Sequence, residues 1–275
     1  MPNQVTSFIT SDKAVANNEI RLSICLRTNG FSFSVVTAAQ ELLTFGEASF
    51  DFRLPLADLS KAIKDFFDKM GIPTFECRQV RLTIPSDHFV WVPKHLYDSL
   101  RDRQYLQMVS VLPLGIGVFH TYNQLVDAYM VFTAPVDVVT AFKLAIPGID
   151  IVCHHSVLAN ENLQSRSIQH PVVIMHVREG VGDFEAYYNN KLLLSNSYPA
   201  SDQKELLYHA LDVMKTLHLE TPDMELCICG EVGREIYGML QHYFPNVSLY
   251  TGNPITFVNP EFQTFPTYRH ALLLS

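Results

Sequence analysis

The sequence predicts an α/β fold of two similar lobes, each built on a β-β-β-α-β unit, facing each other across a central cleft. Three observations carry this prediction. Residues Ile24–Phe50 and Ile174–Tyr198 both read as strand, turn, strand, turn, strand. Moved 151 positions along the chain, Leu26-Arg27 falls on Val177-Arg178, Phe33 on Phe184, and Leu42-Leu43 on Leu193-Leu194. Each triple strand is followed by one amphipathic helix and then an apolar strand.

The elements follow in order. Residues 1–18 read as a flexible lead-in, and 19–165 as the first lobe with an irregular insertion. Glu19 to Leu26 alternates polar and apolar residues, the pattern of a half-buried strand. Thr28-Asn29-Gly30 is a hairpin turn in which Asn-Gly supplies positive φ. Phe31–Val36 returns, Ala38-Ala39-Gln40 turns again, and Leu42–Phe50 is the third strand. A helix is expected from Pro55 to Met70, because Leu56, Leu59, Ile63, Phe66, Phe67 and Met70 recur at helical spacing and Gly71 and Pro73 stop it. Val80–Pro85 is the next strand. Val92–Leu100 reads as a short helix, 116–122 and 125–132 as strands, and Pro135–Ala145 as a helix. Ile149–His155 is a strand, and a helix starts near Ser156. The polar segment 160–170 marks the boundary, so 166–275 forms the second lobe. Val172–Val177 is a nearly continuous apolar strand with both faces covered. Asp183–Tyr188 and Lys191–Tyr198 complete the triple strand around Asn189-Asn190. Ser201 is the candidate N-cap of a helix with an apolar face of Leu206, Leu207, Ala210, Leu211, Met214 and Leu217. Glu225–Cys229 is a strand ending at Gly230. A helix at 231–244, a strand at 247–250 and a short helix at 268–274 close the chain.

The chain has 275 residues, 48% hydrophobic and 17% charged, with a formal net charge of −8. That composition excludes global disorder. An acidic chain without a Lys/Arg run is not built for nucleic acid or for an anionic membrane surface. No apolar run reaches the length of a membrane helix, and Met1–Glu19 lacks a signal-peptide core, so a cytoplasmic location is expected. The five cysteines are odd in number and form no C-x-x-C, which points to buried reduced thiols.

Two β-β-β-α-β units, with Gln40–Glu47 and Asn190–Asn196 as the two third strands, resemble the actin-like ATPase superfamily with its ribonuclease-H-like lobes. The chain also resembles an uncharacterised family of Bacteroidetes proteins of about this length. The superfamily resemblance implies three phosphate- and metal-organising turns. Its enzymes carry D-x-G-T-type patterns in the first two turns and a Gly-Gly pair in the third. Here Cys25-Leu26-Arg27-Thr28-Asn29 stands in the first turn, keeping only Thr28. His176-Val177-Arg178-Glu179 stands in the second, with an arginine in the glycine position. Cys229-Gly230-Glu231 keeps one glycine of the third pair. Without the aspartates the resemblance carries over the fold and not the ATPase chemistry.

Two readings stand side by side at this point. In the first the chain is a non-catalytic, pseudo-ATPase binding or scaffold protein. It has no cofactor, and its partner is an unidentified protein or a second copy of itself. In the second it binds a nucleotide or phosphometabolite, with weak or divergent ATPase or kinase activity. Arg27, Thr28, Arg178, Glu179, Gly230 and Glu231 would then form the site, and Mg-ATP would be the ligand. The two arginines either make a metal-independent anion site or pair with Glu179, Glu231 or Asp183. Asp183 and Glu179, four residues apart, are the acids available to a metal. His154 and His155 fall on a strand and so point to opposite faces, unsuited to joint chelation. Cys227 and Cys229 share a strand face without further ligands. No carboxylate cluster suggests a metal hydrolase.

Overall fold

The computed structural model describes residues 4–10, 19–165, 167–219, 222–250, 252, 254–257, 259, 261, 262 and 265–274. The chain divides into two compact units. One runs up to Ser156 and takes back Pro254–Phe265 and Leu272–Leu274; the other starts at Val157 and includes Pro266–Ala271. The division therefore falls after Ser156, ahead of the polar segment at 160–170.

The first unit opens with β1 (Gln4–Thr10), so the expected lead-in contains a strand. The triple strand is β2 (Ile20–Arg27), β3 (Gly30–Thr37) and β4 (Glu41–Ser49). Next come α1 (Leu56–Lys69), β5 (Gln79–Ile84), β6 (Phe89–Pro93), α2 (Asp102–Gln107), β7 (Ile116–Asn123), β8 (Ala128–Pro135), α3 (Val136–Ala145) and β9 (Asp150–Cys153). The main sheet has the order β1-β4-β3-β2-β5-β9, and β6-β8-β7 form a separate sheet. β2 pairs in parallel with β5, and a parallel neighbour needs a crossover helix, which is α1. α1 buries Leu59, Ile63, Phe66 and Phe67. These meet Phe31, whose ring lies 5.1 Å from Phe50, 5.3 Å from Phe66 and 5.7 Å from both Phe67 and Phe142.

The second unit repeats the order. α4 (His154–Ser165) leads into β10 (Val172–Arg178), β11 (Val181–Tyr188), β12 (Lys191–Pro199), α5 (Gln203–Thr216), β13 (Glu225–Gly230), α6 (Arg234–Leu240) and β14 (Asn246–Leu249). Its sheet is β12-β11-β10-β13-β14, with β10 parallel to β13 as β2 is to β5. Val172–Val177 of β10 is buried throughout, as a strand covered on both faces requires. β15 (Thr256–Phe257) then pairs in parallel with the start of β4, and α7 (Ala271–Leu274) ends the described chain.

Several local expectations change. The hairpin between β10 and β11 and that between β2 and β3 match at the 151-residue offset, but the third strands match one residue earlier. Val36 pairs with Leu42 and Tyr187 with Leu192, because the three-residue turn Ala38–Gln40 is replaced by the two-residue turn Asn189-Asn190. Both hairpins also shift register at the same place, Val35/Val36 and Ala186/Tyr187. Asn189 and Asn190, at φ +52° and +56°, make the type I′ turn. In the β2–β3 hairpin Gly30, and not Asn29, has positive φ, and a Cβ there would sit 2.0 Å from the Ala48 carbonyl oxygen. Val92–Leu100 is not a helix. Val92 and Pro93 pair with Tyr129 and Ala128 in β6, and two 3₁₀ turns follow, Lys94–Leu96 and Ser99–Arg101. The helical spacing of Val92, Leu96 and Leu100 misleads because Leu96 and Leu100 are exposed rather than packed. β9 stops at Cys153, and His154 and His155 open α4, their ring centroids 4.2 Å apart. Asp202, not Ser201, caps α5, its Oδ1 accepting from the backbone N–H groups of Lys204 and Glu205. Ser201 instead donates its N–H and hydroxyl to Glu205. Gly233 sits at the N-cap of α6, which is shorter than 231–244. A 3₁₀ turn, Thr267–His270, supplies the first half of the last helix.

Phe31→Ala should destabilise the protein by about 3–5 kcal/mol, since it opens a cavity among packed rings. Asp202→Ala should cost about 1 kcal/mol through the lost cap. Denaturant titration checks both; equal midpoints for the two variants and the wild type would contradict this packing account.

Candidate functional site

The second unit places polar side chains in cross-strand rows on one face of its sheet. β11 alternates Asp183, Phe184, Glu185, Ala186 and Tyr187. Phe184 and Ala186 join Val173, Met175, Leu206 and Ala210 in the core under α5. Period-two geometry turns Asp183, Glu185 and Tyr187 to the other face. The register sets Ser197, Asp183, His176 and Cys229 side by side across β12, β11, β10 and β13. The next row is Ser195, Glu185, Ile174, Cys227 and, on β14, Ser248. This face is not solvated: Asp183 is 1% exposed, and Glu185 and Tyr187 are 0% exposed.

A buried carboxylate is tolerated only when donors surround it. Asp183 meets that condition. Arg178 grips it in a fork, Nε to Oδ2 at 2.8 Å and Nη2 to Oδ1 at 3.0 Å. The Ser197 hydroxyl donates to Oδ1 at 2.6 Å, and His176 Nδ1 lies 3.0 Å from Oδ2. A bidentate guanidinium is the strongest ordinary partner for a carboxylate. Tyr187 donates its hydroxyl to Glu185, and Ser195 does so at 3.4 Å. Glu225, at the start of β13, accepts from Cys227 Sγ at 3.1 Å and Ser248 Oγ at 3.0 Å. It also lines a pocket of about 500 Å³ with His170, Asp223, Gln241 and Asn246, so this end of the polar face reaches solvent. Burial, followed by the neighbouring Cys227, Asp183 and Glu185, pushes the Cys229 thiol well above its ordinary range.

The residues singled out in the sequence fall in two places. Arg178, Glu179, Gly230 and Glu231 lie at the C-terminal ends of the paired strands β10 and β13. Arg178 turns inward to Asp183, while Glu179 and Glu231 are exposed. Gly230 has φ +84°, and a Cβ there would sit 2.1 Å from the Val177 carbonyl oxygen. The Glu231 N–H donates to that same oxygen at 2.7 Å. Gly230 is thus needed for a tight backbone approach, and the Glu231 N–H is already engaged. Arg27 ends β2 in the first unit and Thr28 opens the turn after it; both are exposed, and Arg27 donates to Glu47 at 2.7 Å. Of the acids weighed for a metal, Asp183 is held by Arg178 and Glu179 points to solvent. His154 and His155 are both buried. The five cysteines are thiols rather than disulfides; four are buried and Cys77 is half-buried.

A second feature lies in the first unit. Tyr97 stacks on Tyr129 with ring centroids 3.6 Å apart and donates its hydroxyl to Asp102 Oδ1 at 2.9 Å. His120 Nδ1 lies 2.6 Å from the other Asp102 oxygen. Tyr105 donates to the Leu96 carbonyl and accepts from the Asp98 N–H. Burial, then the Asp102 hydrogen bond, raises the Tyr97 phenol above its ordinary value. These bonds pin residues 94–107 to the three-stranded sheet, over a small core of Val92, Leu106 and Val131. Outside that core, Leu100, Met108, Val111 and Leu114 are 91%, 82%, 92% and 100% exposed.

Sequence reasoning missed Glu185, Ser197, Tyr187 and Glu225. The alternation in Asp183–Tyr188 carried a signal, since a strict period of two separates a polar face from Phe184 and Ala186. It reads equally as an ordinary solvated face.

The comparisons agree on the fold. A family model described as Protein of unknown function (DUF3822) matches residues 11–247. A Bacteroides thetaiotaomicron protein, described as having an actin-like ATPase fold and unknown function, is 20% identical with a TM-score of 0.72. The match covers 85% of this chain and 91% of that one. A PilM–PilN type IV pilus biogenesis complex matches at 10% identity and TM-score 0.58, over 92% of this chain and 96% of that one. The ethanolamine utilization protein EutJ from Carboxydothermus hydrogenoformans matches at 8% identity and TM-score 0.50, over 97% and 93%. No curated protein matches the chain. Both units thus belong to an actin-like ATPase fold.

Asp183→Ala should leave the Arg178 guanidinium without its buried partner and destabilise the fold by about 3–5 kcal/mol. Urea unfolding measures it, and a loss under 1 kcal/mol would mean that the clamp behaves as a surface ion pair. Burial and nearby Glu76 push the half-buried Cys77 thiol up to about 11. Only its thiolate reacts, so alkylation of Cys77 in the native protein should rise about tenfold per pH unit between roughly pH 8 and 10. Mass spectrometry of labelled peptides reads this rate; a rate that bends over between about pH 9 and 10 would place the thiol at its ordinary value.

Proposed function

The chain belongs to the family described as Protein of unknown function (DUF3822), and we propose that it is a non-catalytic, pseudo-ATPase member of the actin-like fold that binds a protein partner or itself. The observation that carries this reading is the Arg178–Asp183 clamp. In the turn where superfamily enzymes resemble D-x-G, a side chain as large as arginine replaces the glycine, and its charge is neutralised inside its own unit. Arg27, in the matching turn, is likewise paired, with Glu47. Neither guanidinium stands ready as a substitute for a metal ion. The backbone N–H after Gly230 is bonded to β10.

Binding of a protein is supported by the segment around α2. Apolar side chains as exposed as Leu100, Val111 and Leu114 gather where proteins meet partners. The aromatic and Asp102 contacts hold residues 94–107, Leu100 among them, in one shape, which lowers the ordering cost of association there. Among the described residues no helix is long and apolar enough to cross a membrane. A cytoplasmic location remains part of the proposal.

Thermal unfolding with Mg-ATP, Mg-ADP and Mg-GTP tests the reading. A ligand at one hundred times its dissociation constant stabilises a fold by about 2.7 kcal/mol. The expected result is no shift with any nucleotide. A shift that Arg27→Ala or Arg178→Ala removes would replace the scaffold reading with a nucleotide site formed by Arg27, Thr28, Arg178, Glu179, Gly230 and Glu231. Replacing Leu100, Val111 and Leu114 together by Asp should leave the melting temperature within a few degrees and abolish association with partners that the wild type retains. Retained association in that variant would put the binding surface elsewhere.

A further inference from the structure

Six exposed aliphatic side chains of the first unit flank one short helix. Leu96 and Leu100 lie just before α2, and Met108, Val109, Val111 and Leu114 just after it. α2 has six residues and is about 9 Å long, so one partner surface reaches both groups. The Tyr105 hydroxyl donates to the Leu96 carbonyl, and the Met108 N–H closes on the carbonyls of Gln104 and Tyr105. Leu96 and Met108 therefore flank the same tyrosine. α2 itself turns Leu106 into the small core beneath it.

Residues 94–115 carry Lys94, Arg101 and Arg103 against Asp98 and Asp102, a net charge of +1 in a chain of −8. Both acids are already engaged. Asp98 pairs with Arg101 at 3.3 Å, and Asp102 is held by Tyr97 and His120. Lys94 lies over the ring of Tyr122, whose hydroxyl donates to Asp127. Charge and composition together select the occupant. Copies of an acidic chain repel one another over most of their surface. A patch of net charge +1 with its acids engaged is where they approach at least cost. The side chains on offer are aliphatic, and interfaces between identical subunits are the more apolar class.

We propose that this segment is a self-association surface, on which a second copy of the chain lays its own residues 96–114 about a twofold axis. Leu100 and Val111 of each copy then leave water together. A twofold contact closes on itself and needs no second surface. The inference rests on the reading above, that this segment binds a protein, and names that protein as the chain itself.

Sedimentation velocity of the purified full chain across a dilution series, with hydrogen exchange read by mass spectrometry, tests it. The expected result is a monomer–dimer equilibrium, with amides of 96–114 exchanging more slowly at high concentration than at low. Leu100→Asp and Val111→Asp should each weaken dimerisation at least about tenfold, or 1.4 kcal/mol, without lowering the melting temperature of the monomer. Should one variant fail to fold, the other decides, since each changes a single exposed side chain. Added salt should tighten the dimer, because it screens the repulsion between acidic copies. A monomer at every concentration overturns the second copy as occupant but not the scaffold reading, which then stands or falls on partner association in the triple Asp variant. A dimer whose 96–114 amides exchange at an unchanged rate overturns the proposal, as does one that the folded variants leave intact or that salt dissociates.

Discussion

The second unit is organised around a carboxylate with no access to water. Asp183 sits in the middle strand of an antiparallel triplet, and its charge is admissible there only because donors reach it from both neighbours. Arg178 comes from the end of β10, His176 from the same strand, and Ser197 from β12. Each partner depends on strand register, and a slip of one residue would turn all of them to the opposite face. The clamp thus specifies how three strands pair, besides whatever net stability it adds. It also explains why β10 ends in an arginine. The side chain folds back over its own strand, occupying a place where a glycine would leave the backbone bare.

The first unit meets the same geometric problem with different chemistry. Ser32 stands where the second unit has Asp183, and Ser34 where it has Glu185. No buried carboxylate has to be satisfied there, so the guanidinium at the end of β2 points outward to Glu47. Ser34 and Arg81 instead donate to the carbonyls of Leu273 and Leu272, which brings the end of the chain back to this unit. β1 and β15 add to β4 and extend the sheet. One strand order supports two different environments because backbone pairing, not side-chain identity, holds the order.

The features legible in the sequence were those set by local periodicity. α1 and α5 announce themselves through apolar residues three and four apart, and β10 through an unbroken apolar run. The Asn189-Asn190 turn has the side chains that tolerate left-handed backbone. Elements whose form depends on distant partners were misread. Val92 belongs to a strand because β8 lies beside it, and Leu96 and Leu100 keep a helical spacing although nothing packs on them. Gln4–Thr10 becomes β1 only because β4 offers an edge. The one-residue slip between third strands arises from a turn length that an ungapped comparison cannot detect.

The chain by itself determined the α/β class and the repeated order of three strands, a helix and a strand in each unit, because each is written in neighbouring residues. The tertiary structure alone decided that Asp183, Glu185 and Tyr187 are buried, and that Arg178 is spent on Asp183. A period of two states only that alternate side chains share a face. Whether water or protein covers that face depends on elements far away in the chain, and that coverage turns a row of ordinary polar residues into a closed electrostatic network.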